Sequence, residues 1–390
     1  MKKILMLSQT VFPPDIRLEK EIKSLAKANY KLTVICNQYE KDKKPDFKYC
    51  IIIRIKALFN SIKLNKVFNY PFFLSPRYLI KVLTTIIHFK PDFIHAHDLP
   101  MIPIAILYGK LFGLPIIFDM HENYPEALKV FEKKGLFNLI FKNYRFAKIL
   151  ERLCIKYTDR IIVVVEENKE RLINLGVNTD KIFIISNTVD LIRFTTKNCY
   201  NINLSQELKS RKIVLYTGTV SPERGLITPI LGMKNLKDNE LNLILLIVGE
   251  GTQKSYLNQL VKKENLSDKV ILMDWPGHED IPSLINHSLI CIIPQPSNDF
   301  IDTTIPHKLF EYMAMSKPVI TSDAKPFKRI IDETGAGMVF KSGNPSDFAE
   351  TLMKMINSPE NWGDNGRKAV KEKYNWERDA NILINMYEGL

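Results

Sequence analysis

The sequence lacks paired cysteines and long uncharged hydrophobic runs. Its 390 residues include only five cysteines, an odd number, and none has the Cys-x-x-Cys spacing. Scattered cysteines of this kind predict reduced thiols in a cytoplasmic protein. The longest uncharged apolar-rich stretch, Leu99 to Gly109, ends at Lys110 and is too short to span a bilayer. Near the start, the apolar run Ile4 to Leu7 is followed at once by polar Ser8, so no signal peptide is expected.

Negative charge is scarce in the first half of the chain. Residues 1–190 hold 31 Lys and Arg against 19 Asp and Glu, whereas residues 191–390 hold 24 of each. The whole net charge of +12 therefore lies in the first half. Such asymmetry predicts an anionic partner for that half, which is a membrane surface, a lipid phosphate or a nucleic acid. A proteome generally rich in lysine is the alternative interpretation.

Short apolar runs alternate with amphipathic stretches along nearly the whole chain. This alternation is typical of parallel sheets whose strands are joined by helices. In the first half, the predicted strands are Ile4–Leu7, Leu32–Cys36, Ile51–Ile55, Phe93–His95, Pro115–Phe118, Ile161–Val165 and Ile182–Ile185. In the second half, they are Ile213–Tyr216, Leu243–Val248, Val270–Met273, Ile290–Ile293, Pro318–Thr321 and Gly337–Phe340. No internal repeat stands out.

Chain length and a break in the periodicity predict two domains. A chain of 390 residues is too long for one ordinary core, and the periodicity fades between Asn187 and Lys212. The predicted parts are a first domain (1–190), a linker (191–211), a second domain (212–374) and a C-terminal helix (375–390). Asn375 is suited to cap that last helix. The economical architecture is an α/β protein with two Rossmann-like, doubly wound domains that face a central cleft.

The most distinctive segment runs from Thr303 to Thr321. Pro306 fits the first turn of a helix in which apolar residues recur at helical spacing. Glu311 falls among these apolar positions and needs a partner. A vicinal diol such as a ribose offers a carboxylate two hydroxyl donors. A pairing of Glu311 with a neighbouring lysine is the alternative.

With its Pro-x-Lys-Leu-x-Glu-Tyr-Met motif, this segment resembles the retaining glycosyltransferases of family 4. The resemblance implies the GT-B fold of two facing Rossmann-like domains, with Glu311 on the ribose of a nucleotide diphosphate sugar. It also implies that other residues of the segment bind the donor, namely Thr303, Thr304, His307, Lys308 and Leu309. The family usually carries a second glutamate, against the sugar hydroxyls, where this chain has Thr303.

Polar residues follow three strands of the predicted first domain. Ligands of doubly wound sheets bind at the carboxyl ends of the strands. The residues at these ends are Asp15, Arg17, His95, His97, Asp98, Asp119, His121 and Glu122. Alternation along a strand places His95 and His97 on one face. For His95, a structural hydrogen bond is the simpler interpretation.

Two of these segments are similar to loops of the family. Asp119–Glu122 resembles the loop whose histidine meets the donor sugar or its phosphate, which implies that His121 is catalytic and that both ends of the segment bind substrate. His97 is a second catalytic candidate. Asp15–Arg17 resembles a family variant that has an aspartate and an arginine in place of two glycines. That resemblance implies contact of Asp15 and Arg17 with the acceptor or a phosphate.

A loop of the second domain is suited to bind phosphate. Residues 216–226 join a strand to a helix, whose start offers free N–H groups and the positive end of a dipole. Arg224 adds a fork of donors for phosphate oxygens. The segment is similar to the family's phosphate loop, which implies that Arg224 is catalytic and that Gly218 and Thr219 bind substrate. Thr219 stands near the usual arginine position and Arg224 at the usual lysine; an arginine on a surface loop is the alternative.

Other loops of the second domain carry weaker signals. Gly249-Glu-Gly251 opens a helix and is a candidate substrate loop, but Lys254 stands where a dinucleotide fingerprint has its third glycine. That difference argues against NAD. Trp275–His278 looks like a base-binding loop, with His278 as a candidate ligand, and Pro294–Asp302 looks like a sugar-binding loop.

The Asp-x-Asp motif is absent, and no His/Cys cluster has the spacing of metal ligands. We therefore expect no metal and no bound cofactor. Arg224 and helix termini would then offset the charge that develops on a leaving diphosphate.

The stretch Val67–Lys81 mixes aromatic residues with Arg77 and Lys81. Such a mixture suits a membrane interface, and a helix that packs on its own domain is the alternative. Because each basic residue near an anionic leaflet adds about 1 kcal/mol, the charge of the first half would hold the protein peripherally.

Together, these patterns and the resemblance predict a metal-independent, hexosyltransferase-like retaining glycosyltransferase. Its second domain would bind a nucleotide-sugar donor, expected to be a UDP-sugar, and its first domain a lipid-linked or saccharide acceptor. Surface polysaccharide biosynthesis at the cytoplasmic face of the membrane is the expected setting, with no nucleic-acid partner. By resemblance, the last helix crosses back to the first domain. The alternatives are a sugar-nucleotide epimerase and, because of Thr219 and Thr303, a non-catalytic nucleotide-sugar-binding protein.

Overall fold

A computed structural model shows that the chain divides into two compact units. The first comprises Met1–Ser186 and Asp379–Leu390, and the second comprises Asn187–Arg378. The structure describes residues 1–38, 46–56, 75–130, 143–196, 199, 204–236, 242–358 and 360–390.

The first unit is built on a seven-stranded sheet. Its strands are β1 (Lys3–Leu7), β2 (Lys31–Gln38), β3 (Ile51–Lys56), β4 (Phe93–His97), β5 (Ile116–Met120), β6 (Arg160–Val163) and β7 (Ile182–Ile184). They lie in the order β3-β2-β1-β4-β5-β6-β7, and all pairings are parallel. The central strands β1, β4 and β5 are buried over nearly their whole length, as expected for a parallel sheet covered on both faces, and β4 and β5 carry polar residues among their apolar ones. The strand order reverses between β1 and β4, which is where such sheets bind ligands.

Helices join these strands and cover the sheet. They are α1 (Ile16–Lys27), α2 (Pro76–Phe89), α3 (Ile102–Phe112), α4 (Tyr124–Val130), α5 (Tyr144–Tyr157) and α6 (Glu166–Asn174). Apolar residues of α2, α3 and α5 share one core cluster with β4 and β5, which shows that these three helices pack on the same side of the sheet.

The second unit contains a six-stranded parallel sheet. Its strands are β8 (Lys212–Thr217), β9 (Leu243–Val248), β10 (Val270–Met273), β11 (Ile290–Ile293), β12 (Val319–Ser322) and β13 (Gly337–Phe340). Their order is β10-β9-β8-β11-β12-β13, which again reverses beside the first strand of the unit. The carboxyl ends of β8 and β11 therefore flank the expected ligand position.

The remaining helices follow these strands. They are α7 (Gln206–Lys209), α8 (Ile227–Lys234), α9 (Lys254–Lys263), α10 (Ile281–His287), α11 (His307–Ala314), α12 (Lys325–Thr334), α13 (Pro345–Asn357), α14 (Trp362–Glu372) and α15 (Trp376–Glu388). The helix α11 begins one residue after Pro306. As predicted, Asn375 caps α15, because its Oδ1 atom accepts a hydrogen bond from the backbone N–H of Arg378 at 3.1 Å.

The prediction of two doubly wound α/β sheets is confirmed, and each predicted strand lies on a strand of the structure. Part of the predicted aromatic and basic stretch, Val67–Leu74, lies outside the described residues, and so do residues 197–198 and 200–203 of the predicted linker. In the part of the chain that the structure describes, every helix is too short or too polar to cross a membrane.

Candidate functional site

In the first unit, a buried ion pair joins the start of α1 to the end of β5. The Nε and Nη2 atoms of Arg17 donate to the two carboxylate oxygens of Asp119 at 3.0 and 2.9 Å. A third donor, Nη1, bonds the carbonyl oxygen of Ile185 at 2.9 Å. Because both charged side chains are buried, this two-pronged pair fixes the start of α1 against the carboxyl edge of the sheet.

The carboxylate of Asp119 also orients His121. The Nε2 atom of His121 lies 3.1 Å from Asp119 Oδ2 and 3.1 Å from His97 Nδ1, and its Nδ1 atom lies 3.5 Å from Asp98 Oδ2. Burial by itself lowers the pKa of His121, but Asp98 and Asp119 outweigh burial and raise this pKa to about 10. His121 is therefore an imidazolium at neutral pH, which donates hydrogen bonds and does not accept a proton.

Because the pKa of His121 is raised on folding, the free energy of unfolding is expected to depend on pH. A group whose pKa is raised on folding stabilises the fold fully below its unfolded pKa, near 6.5, and loses that effect as pH rises towards 10. Wild-type protein is thus expected to lose free energy of unfolding between pH 7 and 10, by up to about 1.4 kcal/mol per pH unit from this group. His121→Gln is expected to lack that component in denaturant titrations at each pH. If the free energy of unfolding falls equally with pH in the wild-type protein and in His121→Gln, a charged His121 is contradicted.

Two neutral histidines lie beside His121. Burial, together with the neighbouring His95, lowers the pKa of His97 to about 3, so its Nδ1 atom accepts from His121. Burial also lowers the pKa of His95, whose Nδ1 atom lies 2.6 Å from the hydroxyl oxygen of Tyr387. The contact of His95 with α15 fits the structural interpretation of that histidine, whereas His97 is placed to position His121.

Glu21 is a further member of this group that was not among the predicted site residues, and it is fully buried on α1. Its Oε1 atom lies 3.0 Å from Arg17 Nε. Burial and the neighbouring Asp119 carboxylate raise the pKa of Glu21 well above its usual range, which favours a neutral carboxyl group. The spacing of four residues between Arg17 and Glu21 on one helix was the available signal.

The structure does bring together a group with the donor atoms of a metal site. Glu21, His95, His97 and Asp119 hold ligand atoms within 4.8 Å of one another, and zinc accepts both imidazole and carboxylate ligands. However, Arg17 bonds both oxygens of Asp119 and lies against Glu21. Its guanidinium is the resident cation of this group and would repel a second one.

Two other predicted residues of the first unit lie at the edges of this group. Asp15 caps α1, because its Oδ1 atom accepts from the backbone N–H of Leu18 at 3.0 Å. Glu122 follows His121 in the loop after β5 and is partly exposed. The structure thus brings together Arg17, His97, Asp119 and His121, and it gives Asp15 a capping role.

In the second unit, the loops after β8 and β9 approach each other too closely for a side chain at Gly249 or Gly251, two of the glycines that were predicted to bind substrate. A Cβ atom on Gly249 would lie 1.9 Å from the carbonyl oxygen of Gly218, and one on Gly251 would lie 2.1 Å from that of Val220. Gly218 has a φ of +127°, and a Cβ atom there would lie 2.7 Å from Lys308 Nζ. These glycines shape the two loops, and Gly218 also leaves room for Lys308.

Two cations converge on the loop after β8. Lys308, in the first turn of α11, holds its Nζ atom 3.8 Å from the centroid of the Tyr216 ring. Arg224 is 28% exposed, and its Nε atom lies 3.8 Å from Glu223 Oε1. Burial and the positive charge of Arg224 lower the pKa of Lys308 well below its usual range. Because a bound anion would favour the charged form of Lys308, this lysine and Arg224 beside a glycine loop are suited to bind one.

A buried hydrogen bond fixes α11 on the end of β8. The hydroxyl oxygen of Tyr312 accepts from the backbone N–H of Thr217 at 3.0 Å and lies 3.0 Å from Thr217 Oγ1. Glu311, the residue before Tyr312, is partly exposed and lies within electrostatic range of Lys308. The anchored helix therefore presents Lys308 to the glycine loop with a carboxylate nearby.

The other predicted donor residues before and on α11 have mixed surroundings. The Oγ1 atom of Thr303 lies 3.0 Å from the carbonyl oxygens of both Asp299 and Phe300, so this hydroxyl bonds the backbone of its own turn. Leu309 is fully buried in the core, whereas Thr304 and His307 are partly exposed.

Thr219 and His278 lie on exposed loops of the second unit. The carbonyl oxygen of Thr219 accepts from the hydroxyl of Tyr216 at 2.7 Å, which holds the glycine loop over that ring. The ring of His278 meets Trp275 edge to face with centroids 5.1 Å apart.

Two family models match most of the chain. Residues 18–193 match the model described as Glycosyltransferase Family 4, and residues 202–369 match the one described as Glycosyl transferases group 1. The chain belongs to glycosyltransferase family 4. The resemblance that rests on Thr303–Thr321 is confirmed, and the two matches cover Asp119 and His121 in the first unit and the loop that holds Arg224 in the second.

Relatives are similar in sequence over most of the chain, and solved structures share its fold. An uncharacterized glycosyltransferase from Methanocaldococcus jannaschii is 23% identical over 77% of this chain and 75% of its own length. Sucrose-phosphate synthase from Thermosynechococcus elongatus has a TM-score of 0.80 at 17% identity and covers 100% of this chain and 99% of its own. Anabaena HepE in complex with UDP-glucose has a TM-score of 0.73 at 15% identity, with 100% of both chains covered. The predicted GT-B fold class is thereby confirmed.

Proposed function

We propose that this family 4 glycosyltransferase moves a sugar from a nucleotide diphosphate sugar to a lipid-linked or saccharide acceptor, with retention of anomeric configuration. The second unit binds the donor and the first unit binds the acceptor. The observation that carries the proposal is the convergence of Lys308 and Arg224 on the glycine loop after β8.

The donor diphosphate is the anion that these two cations would hold. Without an anion, the charge of Arg224 and burial both work against a proton on Lys308. A diphosphate between them would reverse that effect and favour the charged lysine. The arginine fork and the lysine would then stabilise the negative charge that grows on the leaving diphosphate. This arrangement supplies the charge that a metal ion supplies in other phosphate sites, so we propose a metal-independent reaction.

The presence of threonine at position 219, near the family's usual arginine, fits the assignment of Lys308 and Arg224 to the donor diphosphate. The family pattern places an arginine near that position, and here the residue is a threonine next to Gly218. Lys308 Nζ lies where it would contact a side chain on Gly218. We therefore assign to Lys308 the second positive charge, beside that of Arg224, which Thr219 does not supply.

Glu311 is proposed to bind the ribose of the donor. Its neighbour Tyr312 is anchored to Thr217, so the backbone that carries Glu311 is fixed relative to the glycine loop. Glu311→Gln replaces one acceptor oxygen with a donor, and the loss of a charged hydrogen bond costs about 1.5–3 kcal/mol. We expect calorimetry to show donor affinity reduced by about tenfold or more, while Glu250→Gln on the neighbouring loop leaves it unchanged. Unaltered affinity in Glu311→Gln would remove Glu311 from the ribose site.

In the first unit, His121 is proposed to contact the donor sugar or its phosphate. Because Asp98 and Asp119 keep it charged, it serves as a hydrogen-bond donor and an electrostatic stabiliser. A charged histidine does not deprotonate the acceptor at neutral pH. This state is compatible with the front-face attack expected for a retaining enzyme, in which the departing phosphate takes the proton.

A UDP-sugar is the proposed donor and surface polysaccharide the proposed product. The likeness to HepE in complex with UDP-glucose supports the choice of nucleotide. The five cysteines are all free in the structure, which supports a reducing cytoplasmic setting.

Release of nucleoside diphosphate from a panel of nucleotide sugars tests the proposed reaction. The assay is run with EDTA or Mg²⁺, each with and without lipid-linked and saccharide acceptor fractions. We expect release that depends on acceptor and persists in EDTA. Nucleotide-sugar conversion without acceptor would favour an epimerase, binding without turnover would favour a non-catalytic protein, and restoration of lost activity by Mg²⁺ would contradict metal independence.

A further inference from the structure

Three helices of the first unit form a continuous outer layer on one side of its sheet. The connections from β3 to β4, β4 to β5 and β5 to β6 all advance in the same direction through the strand order. Right-handed crossovers therefore place α2, α3 and α5 on the same side. A hydrogen bond of 3.0 Å from the hydroxyl of Tyr108 on α3 to the carbonyl oxygen of Leu79 on α2 joins the first two, and α3 also packs against α5.

The outer surface of these helices, here called the three-helix face, is rich in exposed apolar side chains. Leu111 is 67% exposed, Ile80 63% and Ile149 57%. Ile87, Leu107 and Leu153 are also about half exposed or more. Single exposed aliphatic residues are ordinary on soluble proteins, but apolar residues repeated across adjacent helices mark an interaction surface.

The charges on this face all have one sign. Its exposed basic residues are Arg77, Lys81, Lys110, Arg145, Arg152 and Lys156. The sequences of the three helices contain one acidic residue, Glu151. That carboxylate is buried and accepts two hydrogen bonds from Arg171 at 2.8 and 3.1 Å. The three-helix face therefore offers cations and aliphatic groups without an exposed carboxylate.

We propose that the three-helix face docks on the surface of an anionic lipid bilayer. Aliphatic side chains flanked by Lys and Arg match acyl chains bordered by negative headgroups. A second copy of the same face would bring cations against cations. This inference stands on the first unit alone and does not depend on the donor site, although a docked first unit would meet a lipid-linked acceptor.

Binding to vesicles measures the docking directly. The full chain is floated with phosphatidylcholine vesicles that contain or lack phosphatidylglycerol, at low and high salt. We expect strong partition onto the anionic vesicles, a steep fall with salt and little binding to the neutral ones. Lys110→Glu/Arg152→Glu removes two cations, each worth about fivefold in partition, so the pair is expected to lose about 25-fold or more.

The matched control reverses the charge of two basic residues elsewhere in the first unit. Lys27 on α1 and Lys31 on β2 are exposed, and the connection from β1 to β2 runs in the opposite direction, which puts α1 on the other side of the sheet. Lys27→Glu/Lys31→Glu makes the same change in net charge and is expected to keep most of the partition. Equal losses in both pairs would show that general charge, and not this face, attracts the lipid.

The apolar component needs a separate variant. Leu111→Ser/Leu153→Ser alters two exposed apolar positions, keeps the net charge and is expected to weaken anionic-vesicle binding at least about tenfold at low salt, where the wild-type protein binds strongly. Leu153→Trp is expected to shift its fluorescence to shorter wavelength when anionic vesicles are added. No binding of wild-type protein to either vesicle, or a dimer that dissociates in Leu111→Ser/Leu153→Ser, would overturn the proposal.

Discussion

Replacing Lys308 with methionine is expected to lower kcat about 100-fold or more, the largest effect on activity that the proposed donor site allows. Removing one preorganised donor to a developing oxyanion typically costs about 10²–10³ in kcat. Methionine keeps an unbranched side chain of similar length and removes the amino group that lies over the Tyr216 ring. Arg224→Ala is expected to have a comparable effect, and Arg224→Lys a smaller one, because lysine keeps the charge but loses the fork.

The decisive test of Lys308 restores the lost positive charge from a different residue beside the same loop. Thr219 is exposed and adjacent to Gly218, so an arginine there would enter the same loop. Thr219→Arg in the Lys308→Met background is expected to recover part of the lost kcat. Lys254→Met removes a lysine that pairs with Glu250 on the neighbouring loop and serves as the control. Full activity in Lys308→Met, or the same loss in the control, would contradict a role for Lys308 at the diphosphate.

Replacing Arg17 with methionine is expected to destabilise the first unit by about 3–5 kcal/mol. The change leaves the buried carboxylate of Asp119 without its two-pronged partner, and breaking a buried ion pair costs about that much. Denaturant unfolding of the full chain, followed by probes in each unit, measures the effect. If Arg17→Met does not fold, Arg17→Lys keeps the charge, loses the fork and is expected to give a smaller loss.

The control for Arg17 is an exposed pair on the same helix. Lys23 lies 3.6 Å from Glu19, and its side chain is exposed, so Lys23→Met is expected to change the free energy of unfolding by less than about 1 kcal/mol. Similar losses for Arg17→Met and Lys23→Met would mean that the buried pair contributes no more than a surface one.

The fold was open to prediction from sequence because its strands are short, almost uninterrupted apolar runs. Leu243–Val248 and Val270–Met273 have in the structure the bounds that the apolar runs predict. Helix capping was readable at Asn375, where a short polar side chain precedes an amphipathic stretch. These signals are local, so they need no knowledge of distant contacts.

The candidate site was only partly predictable, since its central contacts join distant parts of the chain. The carboxyl ends of the strands pointed to Asp119 and His121, and the family motif pointed to Lys308. The charged state of His121 depends on Asp98 and Asp119 together, which no pattern along the chain shows. The bond between His95 and Tyr387 depends on the last helix packing in the first unit.

Calorimetric titration with nucleotides tests the central claim, a diphosphate site at Lys308 and Arg224, most directly. UDP, GDP, ADP and dTDP are each compared with the matching nucleoside, in EDTA, on wild-type protein and on Lys308→Met. We expect at least one diphosphate, with UDP the first choice, to bind wild-type protein about 100-fold more tightly than its nucleoside. In Lys308→Met that advantage should shrink to about tenfold or less. The absence of any nucleotide binding, or diphosphates that bind no more tightly than nucleosides, would contradict the proposed donor site.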